Sequence, residues 1–180
     1  MKGLNIPVGV SDFEKIRSNG YYYIDKSGLI GELLRAGAEV TLITRPRRFG
    51  KTLGMSMLEK FFDIRKDSRE LFEGLEISER QDLCGKWMNQ WPTVFLSLKS
   101  VDGLNFEGAY QQLVYEISLL YQKHDYLLES TALSEQDKFL FKQLRNRQSE
   151  KTDVMRSLQL LTRLLEQHYN KKVILLIDEY

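Results

Sequence analysis

Cysteine is nearly absent: Cys84 stands alone in 180 residues, so no internal disulfide can form. With only His124 and His168 beside it, a Cys/His zinc cluster is excluded too. A lone thiol suits a reducing compartment. No run of about 18 apolar residues occurs, so no membrane-spanning helix is expected. The opening residues, Met1 to Lys15, carry one early lysine and no continuous apolar stretch, unlike a signal peptide. A cytoplasmic location is therefore expected. Charge of one sign is also lacking: 26 Lys and Arg face 25 Asp and Glu, a net charge of +1. The chain is no polycation, and nucleic-acid contact would need a local basic patch. Proline is scarce, and Pro7, Pro46 and Pro92 should each bound or interrupt an element. Repeats and low-complexity tracts are absent.

What is present is an ordinary globular composition, 42% hydrophobic and 28% charged, which rules out wholesale disorder. A chain of this length can bury about 70% of its unfolded surface. Tyr21, Tyr22, Tyr23 and Ile24 have a short strand-like composition. Ser27 is a natural N-cap for a helix carrying Leu29, Ile30, Leu33 and Leu34, ended by Gly37. Glu39 to Thr44 is β-branched and apolar and predicts a strand. From Lys51, the residues Leu53, Met57, Leu58, Phe61 and Phe62 share one helical face. Leu71, Phe72, Leu75 and Ile77 predict a short helix and a connection. Thr93 to Leu98 predicts a second strand. Phe106 to Tyr121 carries the spacing of a long amphipathic helix. Ser134 with Asp137 resembles a capping box opening a third long helix. Val154 to Leu165 predicts another, closed by Asn170 and two lysines. Val173 to Ile177 is a continuous apolar run, as in a parallel strand covered on both faces. Strands separated by helices imply right-handed crossovers and a parallel sheet.

The junction after the first expected strand reads Thr44-Arg45-Pro46-Arg47-Arg48-Phe49-Gly50-Lys51-Thr52. It matches the end of the phosphate-loop pattern G-x-x-x-x-G-K-[ST]. Gly50 permits a tight turn that aims backbone N–H groups at phosphates, and the helix behind it adds its positive end. Lys51 can reach the β- and γ-phosphates, and Thr52 offers a hydroxyl to Mg²⁺. Arg45 stands where the pattern has its first glycine, so the usual loop backbone is not implied. Read otherwise, this is a solvated basic turn, or a nucleic-acid patch of Arg45, Arg47, Arg48 and Lys51. Among the arginines, Arg47 or Arg48 on the arch, rather than Arg45 at its start, is expected to face a nucleotide.

The run Val173 to Ile177 ends in Asp178-Glu179. At the carboxyl end of a buried strand, Asp178 can hold Mg²⁺ through its water shell, and Glu179 can take a proton from attacking water. Read alone, such acids could simply mark a strand that has reached solvent. The adjacent pair is similar to that of P-loop ATPases with their catalytic glutamate on the Walker B strand.

Several stretches together carry a specific resemblance: Gly9-Val10-Ser11-Asp12-Phe13, Tyr22-Tyr23-Ile24-Asp25-Lys26-Ser27, Thr44 to Leu53, Phe61-Phe62 and Ile177-Asp178-Glu179-Tyr180. They resemble the bacterial predicted AAA-ATPase-like family, over nearly the whole chain from about Ile6. Arginine at the first glycine place looks ordinary for that family. The resemblance implies an α/β fold, a P-loop NTPase-type parallel sheet flanked by helices, and binding of ATP with Mg²⁺. It implies ATP hydrolysis in the intact protein. Members commonly continue into a PD-(D/E)XK nuclease-like domain, so residues 1–180 are expected to be the N-terminal part of the ATPase domain. Within it, 1–38 is an N-terminal segment and 39–180 runs from P-loop to Walker B. Only three strands are read, so an incomplete core is expected, marginal in stability and without turnover by itself.

The resulting candidates are Pro46, Arg47, Arg48, Phe49, Gly50, Lys51 and Thr52 for nucleotide, Thr52 and Asp178 for metal, and Glu179 for catalysis. The competing functions are a P-loop module that binds without turnover and a nucleic-acid binder acting through the arginines. Phe13 and Tyr21 to Tyr23 are read as core packing, against the adenine-pocket role that AAA-type enzymes suggest. Asp25-Lys26 is read as capping. Trp87 and Trp91 are read as core or interface anchors, and His124 and His168 as surface or packed histidines.

Overall fold

The computed structural model describes residues 5–44, 46 and 49–178. The chain divides into two compact units, Met1–Trp91 and Pro92–Tyr180.

The first unit is helical. In it lie α1 (Phe13–Ser18), α2 (Gly28–Ala36), α3 (Lys51–Phe62) and α4 (Arg69–Phe72), then a 3₁₀ turn (Glu76–Glu79) and α5 (Gln81–Trp87). The Asp12 carboxylate caps α1 by accepting from Lys15 N. Helix α2 runs between Ser27 and Gly37 as its sequence predicts, and Gly37 has the left-handed φ of 59° that suits a helix end. The Ser27 hydroxyl does not cap α2, however; it accepts a hydrogen bond from Ile77 N at 3.1 Å. The core is aromatic. Phe13, Phe61 and Phe72 are fully buried, with ring centroids 5.0 Å apart for Phe13–Phe72 and 5.4 Å for Phe61–Phe72. Tyr23 packs edge-on against Phe13 at 5.4 Å. Its hydroxyl donates to Met57 Sδ at 3.3 Å. Trp87 and Trp91 stack 4.8 Å apart. Asn89, at φ 55°, donates to the Lys60 and Asp63 carbonyls and accepts from Ser68 N, fastening the end of α3 to the turns around it.

The strand expected over Glu39–Thr44 does not form; residues 37–44 are irregular. A strand exists through its ladder, and no described strand pairs with this segment. Val40 and Leu42 are accordingly 87% and 81% exposed instead of buried.

The second unit mixes helices and strands. Its elements are β1 (Thr93–Ser97), α6 (Phe106–Gln122), a 3₁₀ turn (Asp125–Glu129), α7 (Glu135–Arg145), α8 (Lys151–Met155), α9 (Ser157–Tyr169) and β2 (Ile174–Asp178). β1 and β2 pair in parallel, with Thr93 opposite Ile174 and Ser97 opposite Asp178. The parallel sheet the sequence implies is therefore present as a two-stranded one among the described residues, flanked by helices. Val94, Leu96, Leu120, Tyr121, Phe141, Leu161, Leu164 and Leu165 belong to its core. β2 is not covered on both faces as the apolar run suggested: Leu175 is 40% exposed while Leu176 is buried. With two strands, one turns alternate residues outward.

Ser134 caps α7 by accepting from Asp137 N at 3.1 Å, and its hydroxyl donates to Asp137 Oδ2 at 2.8 Å. The single helix expected over Val154–Leu165 is broken in two at Arg156. Ser157 there is buried, and its carbonyl accepts from the Tyr121 hydroxyl at 2.7 Å. Asn170 ends α9 at φ 50°. His124 is buried beside Tyr126, and His168 Nδ1 lies 2.8 Å from Ser130 Oγ, so both histidines are packed.

Candidate functional site

Gly50 is the N-cap of α3 and has φ 75°, a left-handed conformation that glycine adopts without cost. Lys51 is the first helical residue and Thr52 the second, both half-buried. The first intrahelical bond is Gly54 N to Gly50 O, at 2.9 Å. The N–H groups of Lys51, Thr52 and Leu53 thus lack helical acceptors, and no described side chain caps them. A helix start of this kind favours an anion through free donors and the helix dipole. Pro46 and Phe49 are exposed, and Phe49 N donates to the Pro46 carbonyl at 3.4 Å, a turn in front of Gly50. Arg45, Arg47 and Arg48 lie outside the described residues, as does Glu179.

Gly50 and Lys51 line a cavity of about 270 Å³ within the first unit. Phe49, also expected at the nucleotide, lines it with Ile43, and the remaining walls were not singled out as site residues by sequence. Lys26, Gly28, Leu29, Glu32 and Arg35 come from α2 and its entry, Glu76 from the 3₁₀ turn, and Gly54, Met55 and Met57 from α3. Lys26, Arg35 and Lys51 give it three cations, against the carboxylates of Glu32 and Glu76. Among the described residues, none of the five has an ion-pair partner within 4.0 Å. Residues so far apart in sequence meet through packing, which leaves no local signature. The Asp25-Lys26-Ser27 turn was the available hint.

Asp25 ties the turn before α2 to the 3₁₀ turn. Its Oδ1 accepts from Ser27 N at 2.8 Å and its Oδ2 from Glu76 N at 2.7 Å. Burial works to raise its pKa, but the Glu76 and Ser27 N–H groups outweigh that and hold the carboxyl below the usual range. Burial pushes the Tyr23 hydroxyl up, in keeping with a packed residue.

Asp178 ends β2 in the second unit and is only 5% exposed, so this strand does not end in acid because it has reached water. Its Oδ2 lies 3.4 Å from the Ser97 hydroxyl, and its carbonyl accepts from Leu98 N at 2.9 Å. Ser97 was missed by sequence reading. Its place opposite Asp178 follows from the register, which no single strand reveals. No group of three His, Cys, Asp or Glu side chains suited to a metal occurs among the described residues. Mg²⁺ bound beside phosphates needs only one or two protein oxygens, the donor type that Thr52 and Asp178 carry.

Residues 7–180 match the family described as Predicted AAA-ATPase, and the chain belongs to that family. It is also similar to the "Uncharacterized protein in vnfD 5'region" of Azotobacter chroococcum mcd 1. The two are 33% identical over 118 residues, covering 63% of this chain and 21% of that protein. The chain thus spans about a fifth of that relative's length. No solved structure matches. Membership of this family suggests nucleotide binding. Among the described residues, no helix is long and apolar enough to cross a membrane.

Proposed function

We propose that this chain is a P-loop ATPase region that binds Mg-ATP at Gly50, Lys51 and Thr52, with hydrolysis in the intact protein. The observation that carries the reading is the start of α3. A left-handed Gly50 and a Lys51 with no ion-pair partner among the described residues border one cavity, at a helix start whose first three N–H groups lack helical acceptors, in a chain of the Predicted AAA-ATPase family. Lys51 supplies a mobile positive charge for the outer phosphates, and the helix start supplies fixed dipoles. Pro46, Arg47, Arg48 and Phe49 are assigned to the nucleotide, with Arg47 or Arg48 rather than Arg45 as the arginine that would contact its phosphates. Mg²⁺, when bound, neutralises charge on the outer phosphates. Thr52 and Asp178 would hold it, and Glu179 would accept the proton of the attacking water. The burial of Asp178 supports this role, because a carboxylate away from bulk water attracts a cation more strongly.

The experiment is ATP turnover by the intact protein, measured beside equilibrium ATP binding. Glu179→Gln should abolish turnover and leave binding within about twofold, since one general base contributes roughly 10²–10⁴ in rate. Asp178→Asn should lose the Mg²⁺ dependence of binding. Full turnover in Glu179→Gln would refute the catalytic assignment.

A further inference from the structure

The turn leading into α2 places a second lysine against the loop. Asp25 and Ser27 are both tied to the 3₁₀ turn: Asp25 Oδ2 accepts from Glu76 N at 2.7 Å, and Ser27 Oγ accepts from Ile77 N at 3.1 Å. Asp25 Oδ1 also accepts from Ser27 N at 2.8 Å, closing the turn on itself. Lys26 is the residue between these two anchors, so its backbone is held while its side chain is left to project. Its ammonium lies at the loop: a β-carbon built on Gly50 would be 3.6 Å from Lys26 Nζ. Lys26 lines the same cavity as Gly50 and Lys51.

Neither lysine has a carboxylate partner among the described residues. Glu76 lines the cavity too, with its carboxylate beside Gly28. A β-carbon on Gly28 would lie 2.7 Å from Glu76 Oε2, so this carboxylate rests against the start of α2, where the helix dipole favours it. Lys26, Lys51 and Arg35 line the cavity against the carboxylates of Glu32 and Glu76, an excess of positive charge that an anion would offset. The nearest ready-made anion site is the start of α3, with its free N–H groups.

We propose that Lys26 is a second phosphate-binding cation, holding with Lys51 the polyphosphate of the nucleotide at Gly50. This rests on the nucleotide reading above. The recognised chemistry is a chain of phosphates, shared by a nucleoside triphosphate and free tripolyphosphate.

The test is calorimetric titration of the full chain with Mg-ATP and, separately, with tripolyphosphate. The proteins are the parent, Lys26→Ala, Lys26→Arg and Lys51→Ala, each with a thermal melt. Lys26 is exposed, so Lys26→Ala should melt with the parent. It should bind both ligands about tenfold more weakly or worse, as loss of a charge-assisted contact predicts, and Lys26→Arg should recover most of the loss. If Lys26→Ala lowers the melt, Lys26→Met, which keeps the apolar stem, is judged by the same criteria. Parent affinity in Lys26→Ala beside a clear loss in Lys51→Ala overturns the Lys26 role and leaves the nucleotide reading standing. A loss for ATP but not for tripolyphosphate puts Lys26 at the base or sugar and also overturns it. Parent affinity in Lys51→Ala, or no binding by the parent, overturns the nucleotide reading and the Lys26 role with it.

Discussion

Asp25 joins stability and site, because its one carboxylate fixes both Ser27 and Glu76. Its pKa is held below the ordinary aspartate value of about 3.9. A depressed carboxyl contributes stability that is full above the unfolded value and is lost as pH falls through the folded one. Asp25→Asn should therefore destabilise the first unit at neutral pH by about 1 kcal/mol, modest because the group is exposed and screened. The gap to the parent should close below about pH 3.9. Denaturant melts from pH 7 to pH 3 check this; a gap constant with pH would contradict it. Asn89 is a second residue with two demands on it. Its φ of 55° would suit glycine better, yet its side chain serves the Lys60 and Asp63 carbonyls and Ser68 N. Asn89→Gly should relieve the backbone and still lose about 1–3 kcal/mol, because those groups lose their partner. Chemical denaturation showing a gain in stability would refute this.

The elements that behaved as their sequences predict carry local instructions. The box at Ser134 and Asp137 opens α7, and Asp137 reaches onward to Arg163 of α9 at 2.6 Å. Hydrogen bonding from Arg163 holds the Asp137 carboxyl below the usual range. Ser134→Ala should cost about 1 kcal/mol by denaturant unfolding, while Ser134→Asp, which can still cap, should cost less. Equal losses would show that the hydroxyl's bond to Asp137, rather than the cap, carries the effect. Where sequence reading went astray, the instruction is not local. Glu39 to Thr44 has strand composition, but composition cannot supply a neighbouring strand, and Val40 and Leu42 remain in water. The break at Arg156 follows from Ser157 engaging Tyr121 across the packed unit, which 3.6-residue spacing cannot show. Leu175 on β2 is exposed, though its run looked buried throughout.

Across the whole molecule, the contiguous motif at Gly50 was legible in the sequence and the residues packed around it were not. Gly50-Lys51-Thr52 at a helix start was legible because the three residues are contiguous, and the helix began at the expected residue. The strand expected before it is absent, so the reading rests on the helix side alone. The cavity walls at Lys26, Glu32, Arg35 and Glu76 were not legible, since they meet only when α2 and the 3₁₀ turn pack beside α3. Ser97 beside Asp178 was hidden in the same way, by strand register. The central claim is that the start of α3 binds the phosphates of ATP through Lys51. Its most direct test is calorimetric titration of Mg-ATP into the parent and into Lys51→Ala. A charge-assisted contact of about 1.5–3 kcal/mol predicts saturable binding by the parent and affinity at least tenfold weaker in the variant, at an unchanged melting temperature. Equal affinity in the two proteins would contradict the account.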